Sequence, residues 1–486
     1  AKAAGPDGLP SRVLKLLANQ IAPILTAIFN GSLQEGVLPR DWKVANVTPI
    51  YKKGEKANPM NYRPVSLTSI CCKVLEHVIH SQVMKHLDSH HILSDTQHGF
   101  RKRRSCDTQL VITTDDLARG LDNRKQTDII ILDFSKAFDT VPHTRLINKL
   151  THYGINRHLI TWITSFLTNR QQKVVLEGQS SSYLSVDSGV PQGTVLGPLL
   201  FLLYINDLPE NLTSTPRLFA DDCLLYRTIS SDKDAADLQK DLDELTKWQE
   251  KWQMRFNASK CYVMHMSTAR TTKSYNYKLC GQTLETVDSH PYLGVHLQSD
   301  MKWDTQVSHA ASKASRILGL IKRNLYHCSQ QLKTTAYTSL VRPLMEYGST
   351  SWDPYTKSHC YQLERNQRSA ARFVKRNYAR TEGTVTKLLQ ELEWPTLEER
   401  RSHARLALMY KVVNELVDIP SDPYLTPVTR QGIRRNNSNP YQQPHCRINI
   451  YKNSYFPRTI AEWNNLPDST IQANTINSFK HKLLLD

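Results

Sequence analysis

No stretch of this sequence is apolar for long enough to cross a membrane: the longest run, Val195 to Ile205, falls well short of the roughly 20 residues a span needs. No secretory signal stands at the start. The chain opens on Ala1-Lys2-Ala3-Ala4-Gly5-Pro6-Asp7-Gly8 without an initiator Met, which reads as a fragment of a longer product. Cysteine forms no ladder. The nine Cys occur singly or as the adjacent pair Cys71 and Cys72, which argues against a disulfide framework and for a reducing, intracellular compartment. His327-Cys328 and His359-Cys360 fit no finger spacing, so the 18 His do not argue for zinc. Fixed-period repeats and low-complexity tracts are missing too, and Asn436 to Pro444 is the best linker-like stretch.

What is present in excess is positive charge. The 62 Lys and Arg outnumber 45 Asp and Glu, for a net charge of +17. Residues 1–300 hold 35 basic and 30 acidic side chains, the remainder 27 and 15, so most of the excess lies in the C-terminal part. With 40% hydrophobic and 22% charged residues the chain is globular, and its 486 residues suffice for roughly two to four domains. The basic balance favours a polyanionic partner. Its densest cluster is Arg365, Arg368, Arg372, Lys375, Arg376 and Arg380 on a helix-like segment beside Phe373 and Tyr378. That is the pattern of a face tracking a phosphate backbone, with aromatics to pack or stack; a solvated surface helix is the alternative.

Periodicity sets the elements. Apolar positions from Val13 to Ile28 predict helices broken at Pro23. Val44 to Ile50 reads as a strand, Tyr51 to Pro64 as a basic hairpin-like region, and Ser69 to Leu87 as a helix. Ile129-Ile130-Ile131-Leu132 is a buried strand ending on Asp133, and residues 141–170 are helical. Alternating strands follow over 172–187, then the loop Gly189-Val190-Pro191-Gln192-Gly193 leads into an apolar helix. Arg217 to Tyr226 reads as a hairpin with Asp221 and Asp222 at its turn. Residues 234–256 form an amphipathic helix, and helical spacing returns from Thr305 to Leu344.

A carboxylate at the end of an apolar strand is expensive unless a cation accompanies it. Asp133, Asp221 and Asp222 occupy two such places, with a basic loop region before both. Hard oxygen ligands of this kind suit Mg²⁺, and two ions bridged by them would serve an in-line phosphoryl transfer. The plainer reading makes Asp-Asp a turn and Asp133 a helix cap.

Six ordered blocks then carry a resemblance: Asn61-Tyr62-Arg63-Pro64-Val65-Ser66-Leu67, Gln97-His98-Gly99-Phe100-Arg101, Leu132 to Asp139, Gly189 to Pro198, Phe219-Ala220-Asp221-Asp222 and Tyr292-Leu293-Gly294-Val295. With them the chain resembles the reverse transcriptase of non-LTR (LINE-type, jockey-like) retrotransposons. Trp463-Asn464-Asn465-Leu466-Pro467 extends the likeness more weakly. The resemblance implies an α+β, right-hand polymerase fold. Residues 1–43 would be a helical extension, 44–298 fingers and a palm with an antiparallel sheet, 299–350 the thumb, and 351–486 a basic, mainly helical region. It implies two metal ions, Mg²⁺ or Mn²⁺, on Asp133, Asp221 and Asp222. Lys52 and Arg63 would hold the triphosphate, Phe138 would exclude a 2′-hydroxyl, and Gln192 and Gly193 would contact nucleotide and template. Lys260 would protonate the leaving pyrophosphate, and Tyr292, Leu293 and Gly294 would form the primer grip. An RNA template, a DNA primer or target, dNTPs and a nuclear location follow from the same resemblance, with no membrane partner.

Two other functions compete. A decayed or domesticated relative would bind nucleic acid and catalyse nothing; an RNA-dependent RNA polymerase would share the palm but lack the bulky gate at Phe138. Oligomeric state is not legible.

Overall fold

The computed structural model describes residues 3–269, 272–379, 381–428 and 440–485. Its centre is the strand Gln126–Leu132, formed by the apolar run noted above, in the middle of a five-stranded sheet. That strand pairs antiparallel with Asp222–Ile229 on one side and with Tyr262–Met266 on the other. Thr215–Phe219 completes a hairpin at one edge, and Glu285–Thr286 adds a short parallel pairing at the other.

Side chains alternate across a sheet, so a strand apolar at every position needs cover on both faces. Here both are covered. Ile130 and Leu132 share a core with apolar residues of the helices Ile70–Ser89, Leu196–Ile205 and Asp232–Trp252. Ile129 and Ile131 share a second core with residues of Cys106–Asp122, Asp304–Asn324 and Lys357–Lys375. Asp128 on this strand is fully buried but satisfied: Tyr277 Oη donates to it at 2.7 Å, Gln126 Nε2 at 2.8 Å, and His265 Nδ1 lies at 2.9 Å.

A second sheet is built on Val44–Tyr51, antiparallel to Tyr62–Leu67 and parallel to Arg170–Leu176. The architecture is α+β, with the mainly antiparallel sheet expected of a palm.

Two local expectations need correction. The entry segment forms helices Ser11–Leu16 and Ala18–Glu35, so the break falls at Leu17 and Pro23 lies inside the second helix. Pro23 sits early in that helix, where the ring removes a single hydrogen bond, and Thr26 Oγ1 donates to the Ala22 carbonyl one turn on. The 305–344 region is not one helical run: after Asp304–Asn324 come Gln330–Ala336, a π-helical turn Tyr337–Val341, and Arg342–Glu346. Pro343 offers no N–H to the preceding turn, and a widened turn makes room for its ring.

The C-terminal region is mainly helical and folds back on the palm. Trp463 is buried in a third core that also takes in Val111 and Ile112 of the Cys106–Asp122 helix. Asp116 on that helix accepts from Tyr424 Oη at 3.1 Å and also from Arg217 Nη2 and Tyr226 Oη of the Thr215–Ile229 hairpin, at 2.7 and 2.8 Å. Arg380 and the linker-like residues Asn436 to Asn439 lie outside the described residues.

Candidate active site

The register of the central strand explains why its terminal carboxylate has company. Leu132 pairs with Cys223, and Ile131 with Tyr262. One further step along the first ladder sets Asp133 beside Asp222; on the other side the ladder is interrupted by the turn Ala258–Lys260 before Phe134 bridges Phe256, and the Lys260 charge acts on Asp133 from that turn. The Asp133 N–H donates to Cys261 Sγ at 3.3 Å, and its carbonyl accepts from Asn257 N at 2.7 Å, which fixes the block carrying Lys260 against the strand end.

Asp221 reaches the same place through a tight turn. Phe219 pairs with Asp222, leaving Ala220 and Asp221 as the turn, with Ala220 left-handed at φ +53°. Such a conformation is unfavourable for Ala and requires support. Gln97 supplies it. Its Oε1 accepts from Ala220 N at 2.8 Å and from Gly99 N at 2.7 Å, while Nε2 donates to the Ala220 carbonyl at 3.3 Å. Gly99 packs so closely that a Cβ there would lie 2.3 Å from Ala220 N.

The electrostatics follow from this crowding. Burial, then the charges of Asp221 and Asp133, push the Asp222 carboxyl up to about 6, against the opposing pull of Arg63. Burial also raises Asp133; Lys260 and Lys52 oppose that shift and Asp221 adds to it. Asp221 thus acts on both other acids and Asp133 on Asp222, with three cations around them. His290 is a fourth basic group that the motifs did not signal: it faces Asp133, its ring lies 5.0 Å from that of Tyr262, and burial lowers its pKa.

Lys52 and Arg63 belong to the basic hairpin. Ile50 is opposite Arg63, and Lys52 N donates to the Asn61 carbonyl, so by two-residue alternation Lys52 and Arg63 share a face. Both are exposed, and neither has an ion-pair partner among the described residues.

Gln192 and Gly193 sit where this hairpin meets the palm. Ser66 N donates to the Gln192 carbonyl at 2.8 Å, and Gln192 Nε2 donates to Asp139 Oδ1 at 2.9 Å. Gly193 has φ +103°, and a Cβ there would meet the Ser66 carbonyl at 2.6 Å. The close approach this glycine allows in the structure is therefore to the neighbouring strand. The buried Glu76 anchors the far end of the loop by accepting from Val195 N and Leu196 N at 2.7 and 3.0 Å, a contact no local pattern reveals. Phe138 is half-buried, stacked on Phe201 with ring centroids 4.3 Å apart and edge-on to Phe100 at 6.3 Å.

Tyr292, Leu293 and Gly294 lie at the tip of the hairpin Ser289–Tyr292 and Val295–Gln298. Tyr292 and Leu293 are buried, Gln109 Nε2 donates to Tyr292 Oη at 3.0 Å, and Tyr347 Oη donates to the Leu293 carbonyl at 2.9 Å. In this hairpin His290, rather than the buried tip side chains, looks toward the acids.

Among the described residues no three Asp, Glu, His or Cys side chains stand as a ready-made metal cage. The donor chemistry nevertheless fits a hard divalent cation: two of three neighbouring carboxyls are raised by burial and by the charge of an adjacent carboxylate, a stress such an ion relieves.

The model of the reverse transcriptase (RNA-dependent DNA polymerase) family matches residues 50–297, which take in every site residue from Lys52 to Gly294. The chain belongs to the reverse transcriptase family. Its relatives include the RNA-directed DNA polymerase from mobile element jockey of Drosophila melanogaster, 30% identical over 74% of this chain and 40% of that protein. The jockey polymerase of Drosophila funebris is 27% identical over the same shares. The chain thus spans under half the length of the curated relatives it matches. Among solved structures, apo telomerase from Candida tropicalis aligns over 82% of this chain and 73% of that one, at 12% identity and a TM-score of 0.41, too loose a likeness to carry an argument. No helix among the described residues is long and apolar enough to cross a membrane.

Proposed function

We propose that this chain is the RNA-directed DNA polymerase of a non-LTR retrotransposon, extending a DNA 3′-hydroxyl on an RNA template with dNTPs, in the nucleus. The observation that carries the reading is the meeting of Asp133 and Asp222 at the ends of paired strands, with Asp221 at the adjoining turn and the Lys260 charge acting on Asp133. Residues 44–298 would act as fingers and palm and 299–350 as thumb.

Asp133, Asp221 and Asp222 would hold two Mg²⁺ ions, with Mn²⁺ as a substitute. When bound, such ions stabilise both the attacking and the leaving oxygens of an in-line displacement. Arg63, a planar fork, and Lys52, a point charge, grip the triphosphate from one face of their hairpin. Phe138, fixed on Phe201, presents its ring to the incoming sugar and leaves no room for a 2′-hydroxyl. The Gln192-Gly193 loop, tied to Ser66 and Asp139, orients the nucleotide between fingers and palm. Lys260 donates its Nζ proton to the departing pyrophosphate oxygen. Tyr292, Leu293 and Gly294 set the place of the primer end through their backbone, with His290 beside it.

Primer extension on poly(rA)/oligo(dT) with Mg²⁺ and dTTP tests this, comparing the chain with Asp221→Ala/Asp222→Ala. Extension should vanish in the variant while duplex affinity stays within several-fold, since affinity comes mainly from basic side chains. If neither protein extends yet both bind, the catalytically inert reading replaces this one.

A further inference from the structure

The helices Asp304–Asn324 and Lys357–Lys375 pack side by side and leave a cleft of about 930 Å³ on their outer face. Its walls carry Arg316, Lys322, Arg323, Arg365 and Arg372, and no acidic side chain lines it. None of the five has an ion-pair partner among the described residues, and Arg372 Nε is buried without a hydrogen-bond partner. Lys322 Nζ donates to Ser369 Oγ at 2.7 Å, and burial together with the Arg372 charge lowers its pKa. Five uncompensated cations in one concavity repel one another, and only a polyanion relieves all of them together.

Of the described basic residues of the cluster outside the cleft, Arg368 has its Nε buried without a hydrogen-bond partner. Lys375 pairs with Glu391 at 2.8 Å, and Arg376 donates to the Tyr326 carbonyl at 2.9 Å. Phe373 is in the core, so of the two aromatics beside the cluster Tyr378 alone is exposed. The cleft thus gathers five cations that have no ion pair among the described residues.

Between the cations the cleft offers Ser312, Ser315 and Ser369, with Gly319 adding no bulk. A DNA backbone gives such hydroxyls only phosphate and ring oxygens, whereas RNA presents a donor and acceptor at every 2′-position. We propose that this cleft binds the sugar-phosphate backbone of RNA, at a site that shares no residue with the carboxylate centre. Phosphates lie against the arginines and Lys322, and 2′-hydroxyls meet the serines. The full chain would thereby hold RNA in two places.

The test is fluorescence anisotropy of the full chain with a labelled RNA hairpin and with a DNA hairpin of the same sequence. Nucleotide and metal are omitted, so an inactive polymerase would not alter the result. The wild type should prefer the RNA hairpin. Arg316→Glu/Arg365→Glu should weaken RNA binding at least tenfold at about 0.15 M salt and reduce the salt slope by about two. Arg316→Gln/Arg365→Gln gives the same direction if charge reversal disturbs folding. Ser312→Ala/Ser315→Ala should erode the preference for RNA and leave the salt slope unchanged. Wild-type RNA affinity in the Arg variants would overturn the site. Equal binding of the DNA hairpin by the wild type, with an equal loss in the Arg variants, would overturn its assignment to RNA.

Discussion

Gln97 grips both polar groups of Ala220: the Ala220 N–H donates to Gln97 Oε1 at 2.8 Å, and Gln97 Nε2 donates to the Ala220 carbonyl at 3.3 Å. The peptide so held precedes Asp221, in a backbone conformation that Ala does not favour by itself. Gln97→Ala should lower the single-turnover extension rate by about 10²-fold, the scale of loss for a reactive group displaced by an ångström. Template-primer affinity should stay within several-fold. Unfolding measurements should show a loss of about 1–3 kcal/mol for the unpaired Ala220 N–H. A rate unchanged by the substitution would mean that the turn holds its shape without the clamp.

Phe138 is fixed from behind by Phe201 and at its edge by Phe100. Phe138→Ala should admit ribonucleotides, seen as a rise in UTP incorporation relative to dTTP. Phe138→Tyr keeps the ring and should keep the discrimination. Equal sugar selectivity in all three proteins would leave Phe138 as a packing residue only.

Gly193 has no space for a side chain, since its Cβ would lie 2.6 Å from the Ser66 carbonyl at φ +103°. Gly193→Ala should therefore separate the loop from the Tyr62–Leu67 strand. A raised KM for dNTP, with a thermal midpoint lowered by several degrees, is the expected signature. Gly178, at φ +81° with open space around it, is the control for backbone strain alone.

Asp115 is fully buried, and burial raises it to about 6 despite Arg119 and Ser454. Its folded-state pKa therefore exceeds its unfolded one, so its contribution to stability is complete below about pH 4 and is lost as pH rises toward 6. Chemical unfolding followed from pH 4 to 6 should show the wild type losing about 2 kcal/mol relative to Asp115→Asn. Parallel curves for the two proteins would contradict the shift.

The acids were legible because each stands at the end of an apolar strand, where a charge without a purpose is costly; Asp133, Asp221 and Asp222 could be found without knowing the pairing. Lys260 was legible only as a motif, and its place is set by the turn Ala258–Lys260, which the Asn257 N–H ties to the Asp133 carbonyl. Gln97 lay in a recognised block, but its grip on Ala220 joins residues more than a hundred positions apart. Glu76 and His290 gave no signal at all, since a buried carboxylate on a helix and a lone His in a strand look the same in sequence whether or not they face a site. Pro23 misled because a helix tolerates proline near its start. The C-terminal region was read through its charge, whereas Trp463 and Tyr424 show that much of it folds against the palm.

The strand Gln126–Leu132 is covered on both faces by different cores. Its amides can reach solvent only when both layers come apart, so residues 129–132 should be the slowest in the molecule to exchange hydrogen for deuterium, at a rate set by global unfolding. Asp133 follows directly on that segment. The carboxylate at the end of the strand is thus moored to the most persistent part of the chain, and whatever moves during a catalytic cycle must move around it.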